Sequence, residues 1–102
     1  MVEETKLELI WSPTAMKDLK RVYVHIKKES TVSAKKVITS IMDEVEKLVI
    51  HPKIFELDRF KNNNTGNYRA FEKYHYRISY KLTATEIHIL RVRHTSKDPL
   101  IY

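Results

Sequence analysis

The chain has 102 residues, 42% of them hydrophobic and 31% charged, with no cysteine. That composition fits one folded domain spanning 1–102, and it excludes a disordered chain, a disulfide framework and a thiolate zinc site. Lys and Arg number 19 against 13 Asp and Glu, a formal charge of +6, which favours contact with nucleic acid or another acidic partner.

Met1–Lys6 opens with acids and has no apolar core, so a secretory signal is not expected. No run approaches the roughly 20 apolar residues that a membrane span needs. Together with the missing cysteines, this places the chain in the cytoplasm. Leu7 to Trp11 begins with apolar–polar alternation and reads as a half-buried strand. Ser12-Pro13 then supplies a capping hydroxyl and a proline at the first helical position. Met16, Leu19, Tyr23 and Ile26 recur at helical spacing, with Lys17, Lys20, Lys27 and Lys28 largely outside that stripe. This helix ends near Ser30.

Thr31-Val32-Ser33 offers a break and a new cap, after which Ala34, Val37, Ile38, Ile41, Val45 and Leu48 form a longer stripe. His51-Pro52 stops it, because the residue before proline disfavours helical geometry. Two amphipathic helices with so short a link pack as an antiparallel hairpin. Residues 53–67 are irregular. Ile54, Phe55, Leu57 and Phe60 are placed to tuck under the domain, and Lys61 to Asn67 is polar turn chemistry. Three strand-like runs follow: Tyr68 to about Tyr74, Tyr76 to Leu82, and Glu86 to His94, with Lys97-Asp98-Pro99 ending the regular structure. The predicted fold is α+β: an N-terminal strand, a two-helix hairpin, and a three-stranded antiparallel meander in the same sheet.

Side chains alternate between the faces of a strand. The economical assembly puts Ile78, Tyr80, Leu82, Leu90 and Val92 under the helices and leaves Ile87 and Ile89 opposite. Arg69, Lys73, Arg77, Lys81, Arg91 and Arg93 then gather on the open face as a candidate binding patch. Like charges across strands repel, and arginine suits bidentate contact with phosphate or carboxylate. The plain alternative is that these residues only solubilise an exposed sheet.

No phosphate loop, metal-binding His-Glu-x-x-His helix or nucleophile elbow is present. His25, His51, His75, His88 and His94 lack ligand spacing, so neither a metal nor a cofactor is expected. His94 follows Arg91-Val92-Arg93, where nearby guanidinium groups disfavour its protonated form and suit it to act as a base. It could take a 2′-hydroxyl proton from RNA while arginines hold the phosphate charge, or simply close a strand end. Tyr68, Phe71, Tyr74, Tyr76 and Tyr80 interleave with the cations, as stacking residues do in single-stranded nucleic-acid sites.

Several of these segments together resemble the RelE/ParE superfamily of bacterial toxins. They are Ala15-x-x-Asp18-Leu19, Ala34-x-x-Val37-Ile38, His51-Pro52, Tyr68-Arg69, Tyr76 to Tyr80, and Ile89 to His94 leading to Asp98-Pro99. The match spans nearly the whole chain. It implies the toxin of a type II toxin–antitoxin system, bound in a hetero-oligomer by an acidic cognate antitoxin. RelE-like members cut mRNA at the ribosome, and for them the resemblance implies catalytic roles for His94, Arg69 and Arg77. ParE-like members block DNA gyrase without a nuclease site. Thr95 stands where some cleaving members carry tyrosine, which leaves Tyr102 to complete an acid–base pair by folding back. The helix hairpin and the His94-to-Pro99 ending resemble the ParE side more closely. Gyrase inhibition is therefore the first expectation, an mRNA endoribonuclease the second, and a non-toxic nucleic-acid- or protein-binding module the third.

Overall fold

The computed structural model describes residues 7–102; Met1–Lys6, read above as lacking a secretory signal, lies outside them. The order is β1 (Glu8–Trp11), α1 (Pro13–Lys27), α2 (Thr31–Lys47), β2 (Tyr68–Lys73), β3 (Tyr76–Leu82) and β4 (Glu86–His94). The four strands form one sheet in the order β1-β4-β3-β2. Strand β1 runs parallel to β4, whereas β2, β3 and β4 form an antiparallel meander. This is the α+β arrangement expected, with the neighbour of β1 now assigned. Among the described residues no helix is long and apolar enough to cross a membrane.

Both helices begin on serine caps. Ser12 Oγ accepts from the Ala15 N–H at 3.0 Å, and Ser30 Oγ accepts from the Ser33 N–H at 3.1 Å. They cover one face of the sheet, and Ile41, Val45, Leu48, Ile78, Tyr80, Ile87 and Ile89 are fully buried between the layers. Leu19 and Ile26 of the expected α1 stripe pack against the core, but its most buried residues are Ala15, Asp18 and Val22, and Met16 is 61% exposed.

Strand β4 departs from simple alternation. Ser79 pairs with Arg91 but Tyr80 pairs with Ile89, so Leu90 is an extra, bulged residue. A bulge reverses the phase of everything beyond it. Ile87 and Ile89 therefore join Val92 in the core, and Leu90 lines a groove on the opposite face. This corrects the expectation that Leu90 was core and the two isoleucines outward.

The β2–β3 connection corrects a second assignment. Tyr74 and His75 have φ of 50° and 66°, the two positive values of a tight two-residue hairpin turn. That turn sets Lys73 opposite Tyr76, Phe71 opposite Ile78 and Arg69 opposite Tyr80. Since Tyr76, Ile78 and Tyr80 are buried, Arg69 and Lys73 lie on the helix side and not on the open face.

Candidate polyanion-binding groove

Strand phase and the two corrections leave Tyr68, Ala70, Glu72, Arg77, Ser79, Lys81, Leu90, Arg91 and Arg93 on the open side of the sheet. A groove of about 530 Å³ crosses this side, bounded by Asp58 to Phe60, by the ends of β3 and β4, and by residues 95–102. The six expected cations divide into three pairs within this frame.

Arg69 and Lys73 work beneath the sheet. Arg69 Nη1 donates to the Phe55 carbonyl at 2.8 Å, anchoring a loop whose Phe55 ring stacks on Phe71 at 4.4 Å. Its Nε is buried without a hydrogen-bond partner. Tyr80, beside it, donates its hydroxyl to the Pro52 carbonyl at 3.0 Å, and burial raises its pKa to about 12. Lys73 Nζ lies 3.9 Å from Glu44 of α2.

Arg77 and Arg91 are on the open face but already paired. Arg77 Nη2 lies 2.9 Å from Oδ1 of buried Asp58. Arg91 reaches the edge of β4, where Nε lies 2.8 Å from Asp18 Oδ2. That edge is free because β1 stops pairing at Trp11–Ile89. Asp18 Oδ2 also accepts the Val92 N–H at 3.0 Å, and Ser12 Oγ donates to the Leu90 carbonyl at 3.1 Å. Side chains from the start of α1 thus replace a missing strand and satisfy backbone that would otherwise be orphaned.

Lys81 and Arg93 complete the set. Neither has a carboxylate within ion-pair distance among the described residues. Lys81 Nζ sits 5.6 Å from the Tyr68 ring centroid, and Arg93 Nη2 donates to the Asp98 carbonyl at 3.2 Å. His94, in phase with Tyr76, stands at the rim. Its ring meets Tyr76 edge-on at 5.1 Å, and Nδ1 lies 2.7 Å from Ser96 Oγ.

The residue missed from the sequence is Asp58. It lies in the irregular 53–67 stretch and is only 3% exposed. Its Oδ1 accepts from the Phe60 N–H at 3.0 Å and from Arg77, while Oδ2 accepts the Tyr102 hydroxyl at 2.6 Å. Burial raises its carboxyl, but these three hydrogen bonds and the Arg77 charge together outweigh burial, so the pKa falls below its ordinary value. Burial and the Asp58 carboxylate both push the Tyr102 phenol well above its usual range. Tyr102 does fold back, yet its hydroxyl is committed to Asp58. Among the described residues no cluster of three His, Asp or Glu is placed to hold a metal ion.

The fold and this groove place the chain among known proteins. Residues 9–99 match the family model described as ParE toxin of type II toxin–antitoxin system, parDE. No curated protein matches the chain in sequence. Solved structures that share the fold include a chromosomal ParDE system from P. aeruginosa, with a TM-score of 0.69 and 21% identity over 87% of this chain and 96% of that one. The toxin–antitoxin complex RelBE2 from Mycobacterium tuberculosis aligns at 0.64, with 17% identity over 88% of this chain and 99% of that one. The YoeB dimer from Staphylococcus aureus aligns at 0.58, with 16% identity over 88% and 98% of the two chains. These likenesses show the fold, and the family model covers nearly all of the sequence. The chain belongs to the ParE toxin family of type II toxin–antitoxin systems.

Proposed function

We propose that this toxin inhibits bacterial growth by binding DNA gyrase and not by cutting RNA. The observation that carries this reading is the separation of Arg69 from the rest of the expected nuclease set. Arg69 sits on the helix side of the sheet, bonded to Phe55, while Arg77 is on the open side, paired with Asp58. His94 lines the same groove as Arg77, at its rim against Tyr76 and Ser96. Acid–base cleavage needs a proton acceptor and charge stabilisers converging on one phosphate, and Arg69 could join the others only by crossing the sheet. Tyr102, the remaining candidate acid, is held by Asp58. A groove that holds His94 and Arg77 but lacks Arg69 and a free acid suits inhibition by occupancy.

The same groove suits an acidic antitoxin. The P. aeruginosa and M. tuberculosis structures are described as a ParDE system and a toxin–antitoxin complex, which supports an antitoxin partner here, in a cytoplasmic hetero-oligomer. Of the cations lining the groove, Arg59, Arg93 and Lys97 have no carboxylate partner among the described residues, whereas Arg77 and Arg91 are already compensated.

Induction of the chain in a bacterium, with transcripts and DNA followed together, tests the reading. The expected result is growth arrest with an SOS response and intact mRNA. Purified protein should also block gyrase supercoiling. Codon-phased mRNA cuts that disappear in His94→Ala or Arg69→Ala would establish the endoribonuclease instead. No toxicity and no effect on either target would leave a non-toxic binding module.

A further inference from the structure

Residues 95–102 cross the groove they help to line, and they are fastened at both ends. Near β4, His94 Nδ1 meets Ser96 Oγ, and Arg93 Nη2 donates to the Asp98 carbonyl. At the far side the Tyr102 N–H donates to the Phe60 carbonyl at 3.1 Å, and the Asn62 N–H donates back to the Tyr102 carbonyl. The Tyr102 hydroxyl closes on Asp58 at 2.6 Å, and its ring stands edge-on to Tyr68 at 5.7 Å. Between these ties the segment is held loosely. Pro99, Leu100 and Ile101 make no backbone hydrogen bond among the described residues, and Ile101 is 71% exposed.

Three consequences follow from that geometry. The segment forms one wall of the groove that Arg77, Ser79 and Arg93 also line, so it limits how far an incoming polyanion can enter. Its far end is tied to the carboxylate that also holds Arg77, so the tie and the guanidinium are linked through one residue. A stretch with few buried contacts and ties only at its ends opens at a small fraction of the free energy of global unfolding.

We propose that residues 95–102 are an autoinhibitory strap, latched by Tyr102 on Asp58, which walls and narrows the groove in the free chain and must swing away before an acidic partner seats fully beside Arg77 and Arg93. The inference rests on reading the groove as a binding surface. It adds that the apparent affinity for any partner there is reduced by the fraction of molecules whose strap is open.

Thiol labelling in the full chain tests the strap without a ligand. Ser79 lines the groove, is 8% exposed, and can be replaced by the only cysteine in the protein. Adding Tyr102→Phe to Ser79→Cys removes one charge-assisted hydrogen bond and should speed labelling about tenfold. Tyr102→Ala, which also removes the ring, should speed it further. Unchanged rates in both variants, with circular dichroism and melting temperature intact, overturn the strap. The second readout uses a decaglutamate peptide on the protein with Ser79 restored. The peptide should deprotect the Asn62 amide in hydrogen exchange and bind Tyr102→Phe more tightly than the parent. Binding that leaves Asn62 protected overturns the inference. Failure of the peptide to bind either protein counts against the groove as a surface for acids, while the labelling rate still decides the strap. Neither readout involves gyrase, so a chain inert toward gyrase would sink the proposed function alone.

Discussion

Asp58 shows how one buried carboxylate organises a basic surface. Taking it out of water is unfavourable, and the Phe60 N–H, Arg77 and the Tyr102 hydroxyl offset that penalty together. The pKa direction gives the sign of its contribution to stability. Because the folded carboxyl lies below its ordinary 3.8, the native state binds its proton less readily than the unfolded chain. The stabilisation is therefore complete above that ordinary value and is lost as pH falls through the lowered folded one. Asp58→Asn removes the charge and leaves the Arg77 guanidinium without its partner, and should destabilise by about 2–3 kcal/mol at pH 7. Urea unfolding of parent and variant should converge as pH drops below 3.8. A gap that stays constant down to that range would show that the ion pair contributes nothing and that Asn loses only packing. Nothing in the sequence singled this residue out. It sits in an irregular loop, and only folding brings it to Arg77 and Tyr102.

At the scale of elements, local chemistry and long-range register were legible to different degrees. Ser12-Pro13 and His51-Pro52 announce the helix hairpin because capping and proline geometry are local, although the second cap is Ser30 and the expected break at Thr31–Ser33 is the first turn of α2. The three meander strands were legible from their composition. The faces were not, since they depend on two single-residue events. One is the bulge at Leu90, which no alternation pattern announces. The other is the Tyr74–His75 turn, which carries neither the Asn nor the Gly that usually marks left-handed backbone. Both residues pay a conformational penalty there, at φ of 50° and 66°. Replacing the pair by Asn-Gly should therefore stabilise the domain by about 1–2 kcal/mol without changing the pairing of Lys73 with Tyr76. A thermal melt measures it. An unchanged or lower midpoint would mean that ring contacts of Tyr74 and His75 outweigh their backbone strain. Of the six cations that phase alone put on the open face, Arg77, Lys81, Arg91 and Arg93 lie there, and Arg69 and Lys73 do not.

For the whole molecule, the formal charge of +6 does not act as one field. The sheet separates it. Lys73 serves the helix side near Glu44, Arg77 and Arg91 are compensated by buried carboxylates, and Arg93 remains on the open face with only a backbone carbonyl. Charge reversal at these positions should then have unequal effects on an acidic ligand. Arg93→Glu should weaken decaglutamate binding about tenfold at 0.15 M salt, or roughly 1.4 kcal/mol. Lys73→Glu makes the same change in net charge from the opposite face and should weaken it less than about threefold, because the Debye length is only about 8 Å at that ionic strength. Fluorescence anisotropy measures both, and higher salt should bring the two variants together as screening shortens to about 3 Å near 1 M. If the two reversals weaken binding equally at 0.15 M salt, net charge alone steers the ligand, and the open face has no privileged site. If Arg93→Glu alone is weakened, the sheet is what converts a generally basic chain into one with a binding side.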